Sequence, residues 1–216
     1  IPQLRRSAEA ACAAGVDSVI VQDAGEAAIL RRCTPKMPLH ASTQMVVHNA
    51  EGARRLESMG FSRVVAAREC TREELAAIAA GTSMQVEAFV HGALCMSVSG
   101  QCYLSSVLGR RSGNRGLCAQ PCRLAFTAGG CGHALSLKDM SLIERVRELQ
   151  KTGVCSLKIE GRMKRPEYVA AAVTACRAAL AGETPDMESL RAVFSRSGFM
   201  DGYFDGSVDS SLFGYR

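Results

Sequence analysis

The chain has 216 residues, 47% hydrophobic and 22% charged, a globular composition that excludes disordered, collagen-like and coiled-coil readings. No apolar run approaches the roughly 20 residues needed to cross a bilayer, so no membrane partner is expected. Lys+Arg 26 against Asp+Glu 21 gives a net charge of +5, mildly basic and short of a dedicated nucleic-acid domain.

Ile1 opens a stretch through Gly15 that reads as the middle of a helix, so a missing N-terminus is expected. Short β-branched runs then predict strands over residues 17–22, 38–43, 62–66 and 85–90. Between them, apolar residues at three- and four-residue spacing predict helices over 25–33, 49–59 and 72–80. Thr71 and Glu74 have the spacing of a capping box, and Gly60 and Gly81 sit where helix C-caps belong. After an irregular middle the rhythm resumes with a strand over 135–137 and a helix over 142–152 stopped at Gly153. A strand over 156–159 and a helix over 166–181 follow, with Pro166 in the first turn. From Ser189 a further helix leads into a glycine- and aromatic-bearing tail.

Six strands alternating with helices imply an α/β fold with a parallel sheet. A closed eight-stranded barrel takes about 250 residues, so a (β/α) barrel-like domain incomplete at its N-terminus fits. A doubly wound open sheet fits the rhythm equally. The chain divides into β/α repeats over 1–92, a cysteine-rich insertion over 93–133, the last β/α units over 134–186, and a C-terminal tail over 187–216 leading into a missing region.

The insertion concentrates the chemistry. Its 41 residues hold five cysteines, seven glycines, four arginines and no acidic side chain. A loop this long inside a compact domain is usually functional or disordered, and its Leu, Tyr, Phe and Cys content argues against disorder. The spacing Cys95-x6-Cys102-x15-Cys118-x3-Cys122 lets four thiolates close around a metal or an iron–sulfur cluster. Glycines let the backbone bend around it, and the arginines favour thiolates. Zinc is the rival, since a four-cysteine site needs the same ligands. The absence of paired C-x2-C units moves the reading toward iron. Disulfides suit an intracellular enzyme poorly. Cys131, after Gly129 and Gly130, is a candidate substitute ligand. Cys12, Cys33, Cys70, Cys155 and Cys176 read as small buried hydrophobes.

Several stretches carry a specific resemblance. They include Glu87, Phe89, His91, Gly92 and Cys95; Ser99, Gly100, Cys102, Leu104 and Ser105; and Asn114, Arg115, Gly116, Cys118, Gln120, Pro121, Cys122 and Arg123. His40, Ser42 and Gln44, then Leu135 to Asp139, Lys158 to Tyr168, and Phe194 to Tyr203 agree as well. Over nearly its whole length the chain resembles the collagenase-like peptidase family of unassigned catalytic type. The resemblance implies a (β/α) barrel-like catalytic domain. It also implies kinship with oxygen-independent hydroxylases that carry a four-iron, four-sulfur cluster. Some of these modify a ribosomal-RNA cytidine and others the wobble uridine of tRNA, both linked to prephenate; a third pair acts on the ubiquinone ring. The 158–168 block and the tail are most similar to the ribosomal-RNA branch. Cys155 departs from an aspartate frequent in relatives, and Met200 from a threonine.

The mechanism is weighed on these residues. No His-Glu-x-x-His or Gly-x-Ser-x-Gly motif occurs, which disfavours a metalloprotease, while a triad on Ser42 or Ser99 stays open. In the hydroxylase reading Cys95, Cys102, Cys118 and Cys122 hold the cluster. Arg115, Arg123, Arg162 and Lys164 bind phosphates or a dicarboxylate such as prephenate. Glu87, His91, Lys158 and Glu160 fall toward strand ends, where a barrel builds its active site. Either glutamate can be a general acid or base, and His91 can orient a substrate oxygen. A buried Lys158–Glu160 ion pair is the plainer account. His40, Ser42 and Gln44 alternate along one strand and so share a face, giving a polar row that suggests a pocket. Tyr103 and Tyr168 stack a base or simply pack. The leading expectation is a cytoplasmic iron–sulfur RNA hydroxylase. The alternatives are a collagenase-like peptidase and a zinc-stabilised RNA-binding module.

Overall fold

A computed structural model describes residues 2–130, 132–161 and 164–214. Cys131 and Arg162, both named above as candidates, lie outside the described residues. In chain order the elements are α1 (Pro2–Ala13), β1 (Val19–Val21), α2 (Ala24–Cys33), β2 (Leu39–Ala41), α3 (Ala50–Ser58), β3 (Arg63–Val65), α4 (Arg72–Ala80) and β4 (Gln85–Gly92). Then come α5 (Leu104–Gly109), β5 (Asp139–Ser141), α6 (Val146–Lys151), β6 (Ser156–Ile159), α7 (Pro166–Ala181), α8 (Met187–Val193) and β7 (Phe199–Met200). Local signals set the helix ends as expected. Thr71 and Glu74 cap α4 reciprocally, and Asn49 accepts the Gly52 N–H to open α3.

β1 to β4 pair in sequence order and in parallel, and β6 adds in parallel to β4. The strand expected at 135–137 lies instead at β5. The backbone of Ser136 to Lys138 is engaged by the tail, with Lys138 N–H donating to Leu212 O and Gly214 N–H to Ser136 O. Leu137 makes only an isolated antiparallel bridge to Phe213. β5 runs antiparallel to the end of β4, with His91 opposite Ser141 and Gly92 opposite Met140. β7, not foreseen, pairs in parallel with β5 and brings the count to seven strands. Among the described residues β1 pairs only with β2, so the strands form an open sheet that branches at β4 rather than a ring.

One large core unites the helices with the sheet. Val64, Val86, Ala88 and Val90 pack with Ala27 and Leu30 of α2, Ala53 and Leu56 of α3, Leu75 and Ile78 of α4, and Ala172, Ala175 and Ala179 of α7. Val65 and Phe89 belong to a smaller core with Leu94, Leu137, Met140, Met200 and Leu212. The helices thus share one core, while the smaller core receives the cysteine segment and the tail. Arg145 ties that tail to α6 through Glu148, Asp201 and Asp205. Among the described residues no helix is long and apolar enough to cross a membrane.

Candidate active site

β4 is the axis of the site. All its residues after Gln85 are buried, and a β-bulge between Phe89 and His91 re-aims its end. At Gly92 the backbone has φ +131°, and a Cβ there would lie 2.6 Å from the Cβ of Glu160. Only glycine lets the strand pass so close to the end of β6 while turning into the cysteine segment.

Two polar groups hang from this strand. Around Glu87, Lys158 Nζ donates at 2.9 Å, Ser156 Oγ at 2.8 Å and Arg63 Nη1 at 3.0 Å. Burial alone would raise the Glu87 carboxyl, but the bonds from Lys158 and Ser156 and the Lys158 and Arg63 charges outweigh it and hold it below the usual range. That is the opposite of the raised carboxyl a general acid needs. The ion pair anticipated between Lys158 and Glu160 is therefore Lys158–Glu87, while Glu160 pairs with Arg68 at 3.1 Å. Arg68 also covers the Phe89 ring at 4.3 Å.

The second group centres on His91, which is 1% exposed. Its ring stacks on Tyr168 at 5.7 Å and meets the Phe199 edge at 5.0 Å, and its Nδ1 has no hydrogen bond among the described residues. Burial, reinforced by the Lys164 charge, lowers its pKa to about 4, so the imidazole is neutral near pH 7. Tyr168 donates to Glu160 O at 3.0 Å. Lys164 sits over the Phe194 ring, and burial with the Arg196 charge lowers it to about 8. Asp139, 1% exposed, accepts the Arg196 N–H at 2.9 Å on Oδ2, while Oδ1 has no hydrogen bond among the described residues. Burial pushes its carboxyl up against the opposing Arg196 charge. Above this group opens a cavity of about 850 Å³, whose lining includes Gln120, Arg123, Lys164, Tyr168, Phe194 and Arg196.

The cysteine segment borders the same cavity. Glu69 accepts from the N–H and Oγ of Ser99 at 2.7 and 2.8 Å, and Gln44 Nε2 donates to Asn114 Oδ1 at 2.7 Å. The Arg123 guanidinium donates to Leu94 O, Ser136 Oγ and Leu137 O, closing the two ends of the segment together. Cys122 lies within electrostatic reach of Cys95, Cys102 and Cys118. Burial raises its thiol, with the other three pushing the same way and Arg123 opposing. Gln120 N–H donates to Cys118 Sγ at 3.2 Å. Among the described residues no three metal-binding side chains gather closely enough for a single ion.

The anticipated residues therefore separate. Arg123 and Lys164 share the cavity, and His91 lies beneath it within reach of the Lys164 charge. Glu87 and Lys158 form the paired group, with His40 near enough to feel Arg63 and Glu87. The polar row of His40, Ser42 and Gln44 does not form, because β2 ends at Ala41 and Ser42 instead caps a 3-10 turn by accepting the Gln44 N–H. Neither serine meets a histidine, since Ser42 bonds Gln44 and Ser99 bonds Glu69. Arg115 is exposed on a turn outside the cavity lining. Tyr103 is 64% exposed, whereas Tyr168 is buried. Of the cysteines read as buried, Cys70 and Cys176 are, while Cys12, Cys33 and Cys155 are exposed. Asp139, Phe194 and Arg196 join the site unpredicted by spacing or motif, and their one sequence signal is that all three lie in stretches that carry the family resemblance.

Comparison with known proteins agrees with that resemblance. The chain is 43% identical over 163 residues to the "23S rRNA 5-hydroxycytidine C2501 synthase" of Escherichia coli (strain K12), covering 72% of this chain and 24% of that protein. It is 35% identical over 190 residues to "tRNA hydroxylation protein P1" of Bacillus subtilis (strain 168), covering 82% and 45%. A "Collagenase" of Porphyromonas gingivalis (strain ATCC BAA-308 / W83) is 35% identical over 240 residues, covering 95% and 56%. The chain thus spans from about a quarter to somewhat over half of the length of these relatives. A sequence model of Peptidase family U32 matches residues 1–212, and the chain belongs to that family.

Proposed function

We propose that this chain is part of an iron–sulfur-dependent, oxygen-independent RNA hydroxylase acting in the cytoplasm, with ribosomal-RNA cytidine or tRNA uridine as substrate and a link to prephenate. The observation that carries it is that the cysteine segment, through Gln120 and Arg123, forms one side of a cavity whose lining also includes Lys164, Tyr168, Phe194 and Arg196. The names of the RNA-hydroxylating relatives point the same way. The shared helical core supports a barrel-like whole over a doubly wound sheet, which carries helices on both faces.

Cys95, Cys102, Cys118 and Cys122 would hold the cluster. Cys122 stands within electrostatic reach of the other three, and a four-cysteine set is the ligand set of a cluster, with zinc as its rival. Held by these cysteines, the cluster would supply one-electron chemistry. Lys164 and Arg196 hold anionic groups such as the carboxylates of prephenate, and Phe194 and Tyr168 flank a ring. Neutral His91 supports the cavity from beneath by stacking on Tyr168. Arg110, Arg111 and Arg115 on the acid-free segment attract RNA phosphates, and Tyr103 offers a face for a base.

In a strain lacking the gene, the RNA hydroxyl is expected to disappear, to return with the wild-type protein, and to stay absent with Cys95→Ala. Gelatin or casein cleavage that survives Cys95→Ala at full rate would replace this account with the peptidase reading.

A further inference from the structure

Gln120 lies between Cys118 and Cys122 with a left-handed backbone, φ +57° and ψ +48°. For a residue with a side chain that region carries a population penalty of about tenfold, and the following Pro121 favours an extended backbone instead. Such a conformation persists only where its surroundings impose it. In this conformation the Gln120 N–H donates to Cys118 Sγ at 3.2 Å.

The side chain of Gln120 is held by the tail. Its Oε1 accepts from Arg196 Nη2 at 3.0 Å. Arg196 is fixed in turn by Asp139, through its backbone N–H at 2.9 Å and its guanidinium at 3.8 Å from Oδ1. The guanidinium also lies 5.5 Å from the centre of the Phe194 ring, and its side chain is 14% exposed. Burying a carboxylate with one oxygen outside any hydrogen bond among the described residues is costly. That cost is intelligible if the carboxylate orients a cation.

We propose that Asp139 and Arg196 are positioning residues for Cys118: they hold Gln120 left-handed and so set the N–H···S hydrogen bond on that sulfur. Backbone bonds of this kind tune a ligating sulfur whether iron or zinc occupies the cysteines, so the role does not depend on which metal binds. Because Arg196 also lines the cavity, an anion held there shares its guanidinium with Gln120. Cavity occupant and sulfur then stand at the two ends of one hydrogen-bonded chain.

Amide hydrogen exchange of the full-length protein, read by mass spectrometry on peptides containing Gln120, tests this. Arg196→Met is compared in the wild-type background and beside Gln120→Gly, since glycine adopts the left-handed backbone at little cost and needs no clamp. Arg196→Met is expected to speed Gln120 exchange about tenfold in the first background and hardly at all in the second. Equal acceleration in both, or none in the first, overturns the proposal. Arg196→Lys, which keeps the cavity charge but loses the planar fork, is expected to accelerate exchange too, and full protection in it would overturn the guanidinium's role. Asp139→Asn is expected to accelerate exchange alone and to add nothing beside Arg196→Met. An additive effect would remove Asp139 from the chain of positioning contacts.

Discussion

Glu87 and His91 stand four residues apart on β4, yet the groups around them are built on opposite terms. Around Glu87 the carboxylate takes three donors from Arg63, Ser156 and Lys158, and its charge is matched. Around His91, two buried atoms, His91 Nδ1 and Asp139 Oδ1, lack hydrogen bonds among the described residues, and a large cavity with several cations lies alongside. A satisfied polar network stabilises and specifies a fold, whereas an unsatisfied one beside a cavity is where a ligand completes the bonding. On this contrast the proposed function is placed on the second group, and the first is assigned to holding the fold.

The largest expected effect probes the desolvated histidine. The folded pKa of His91, about 4, lies below its unfolded 6.5, so the unfolded chain takes the proton first. Stability should then fall as pH drops from about 6.5 to 4, by up to about 3 kcal/mol from this group. Chemical denaturation of His91→Gln should show a loss between pH 7 and 4 that is smaller by this amount. Parallel curves would mean that the imidazole is not desolvated.

Next comes the paired group. Lys158→Met leaves Glu87 short of a partner and should cost roughly 2 kcal/mol, below the value for a fully buried pair because Lys158 is partly exposed. Urea unfolding checks it, and an unchanged midpoint would move Lys158 from the fold to the ligand. The counterpart is Lys164→Met, for which binding of an anionic probe such as prephenate, read by calorimetry, should weaken about tenfold. Its stability at pH 7 should hold or rise slightly. Because the folded pKa of Lys164, about 8, lies below its unfolded 10.5, the wild type alone should gain stability as pH climbs through that window. A Lys164→Met protein that unfolds readily yet binds normally would erase the distinction between the two groups. The smallest effect is a control: Arg5→Ala breaks an exposed pair with Glu9 and should change stability by less than about 0.5 kcal/mol.

Much of the frame was legible because it is written locally. The α4 capping box, Pro166 at the start of α7 and the β-branched runs of β1 to β4 each carry their own signal. β5 was misplaced because the apolar residues Leu135 and Leu137 look like a strand, while their neighbouring backbone answers to a tail some 75 residues away. The cavity was half legible. Lys164 and Arg123 stood out as cations, but Asp139 and Arg196 gain meaning only from burial against each other, which no spacing encodes. Conversely, His40, Ser42 and Gln44 suggested a shared face that exists only if the strand runs on, and Ser42 ends it by capping a turn.

The most direct test of the account is the iron, sulfide and zinc content of the full-length protein purified without oxygen, alongside Cys95→Ala. The account predicts a brown protein with about four irons and matching sulfide per chain, both lost in the variant. A colourless protein carrying stoichiometric zinc, or no metal at all, would contradict it.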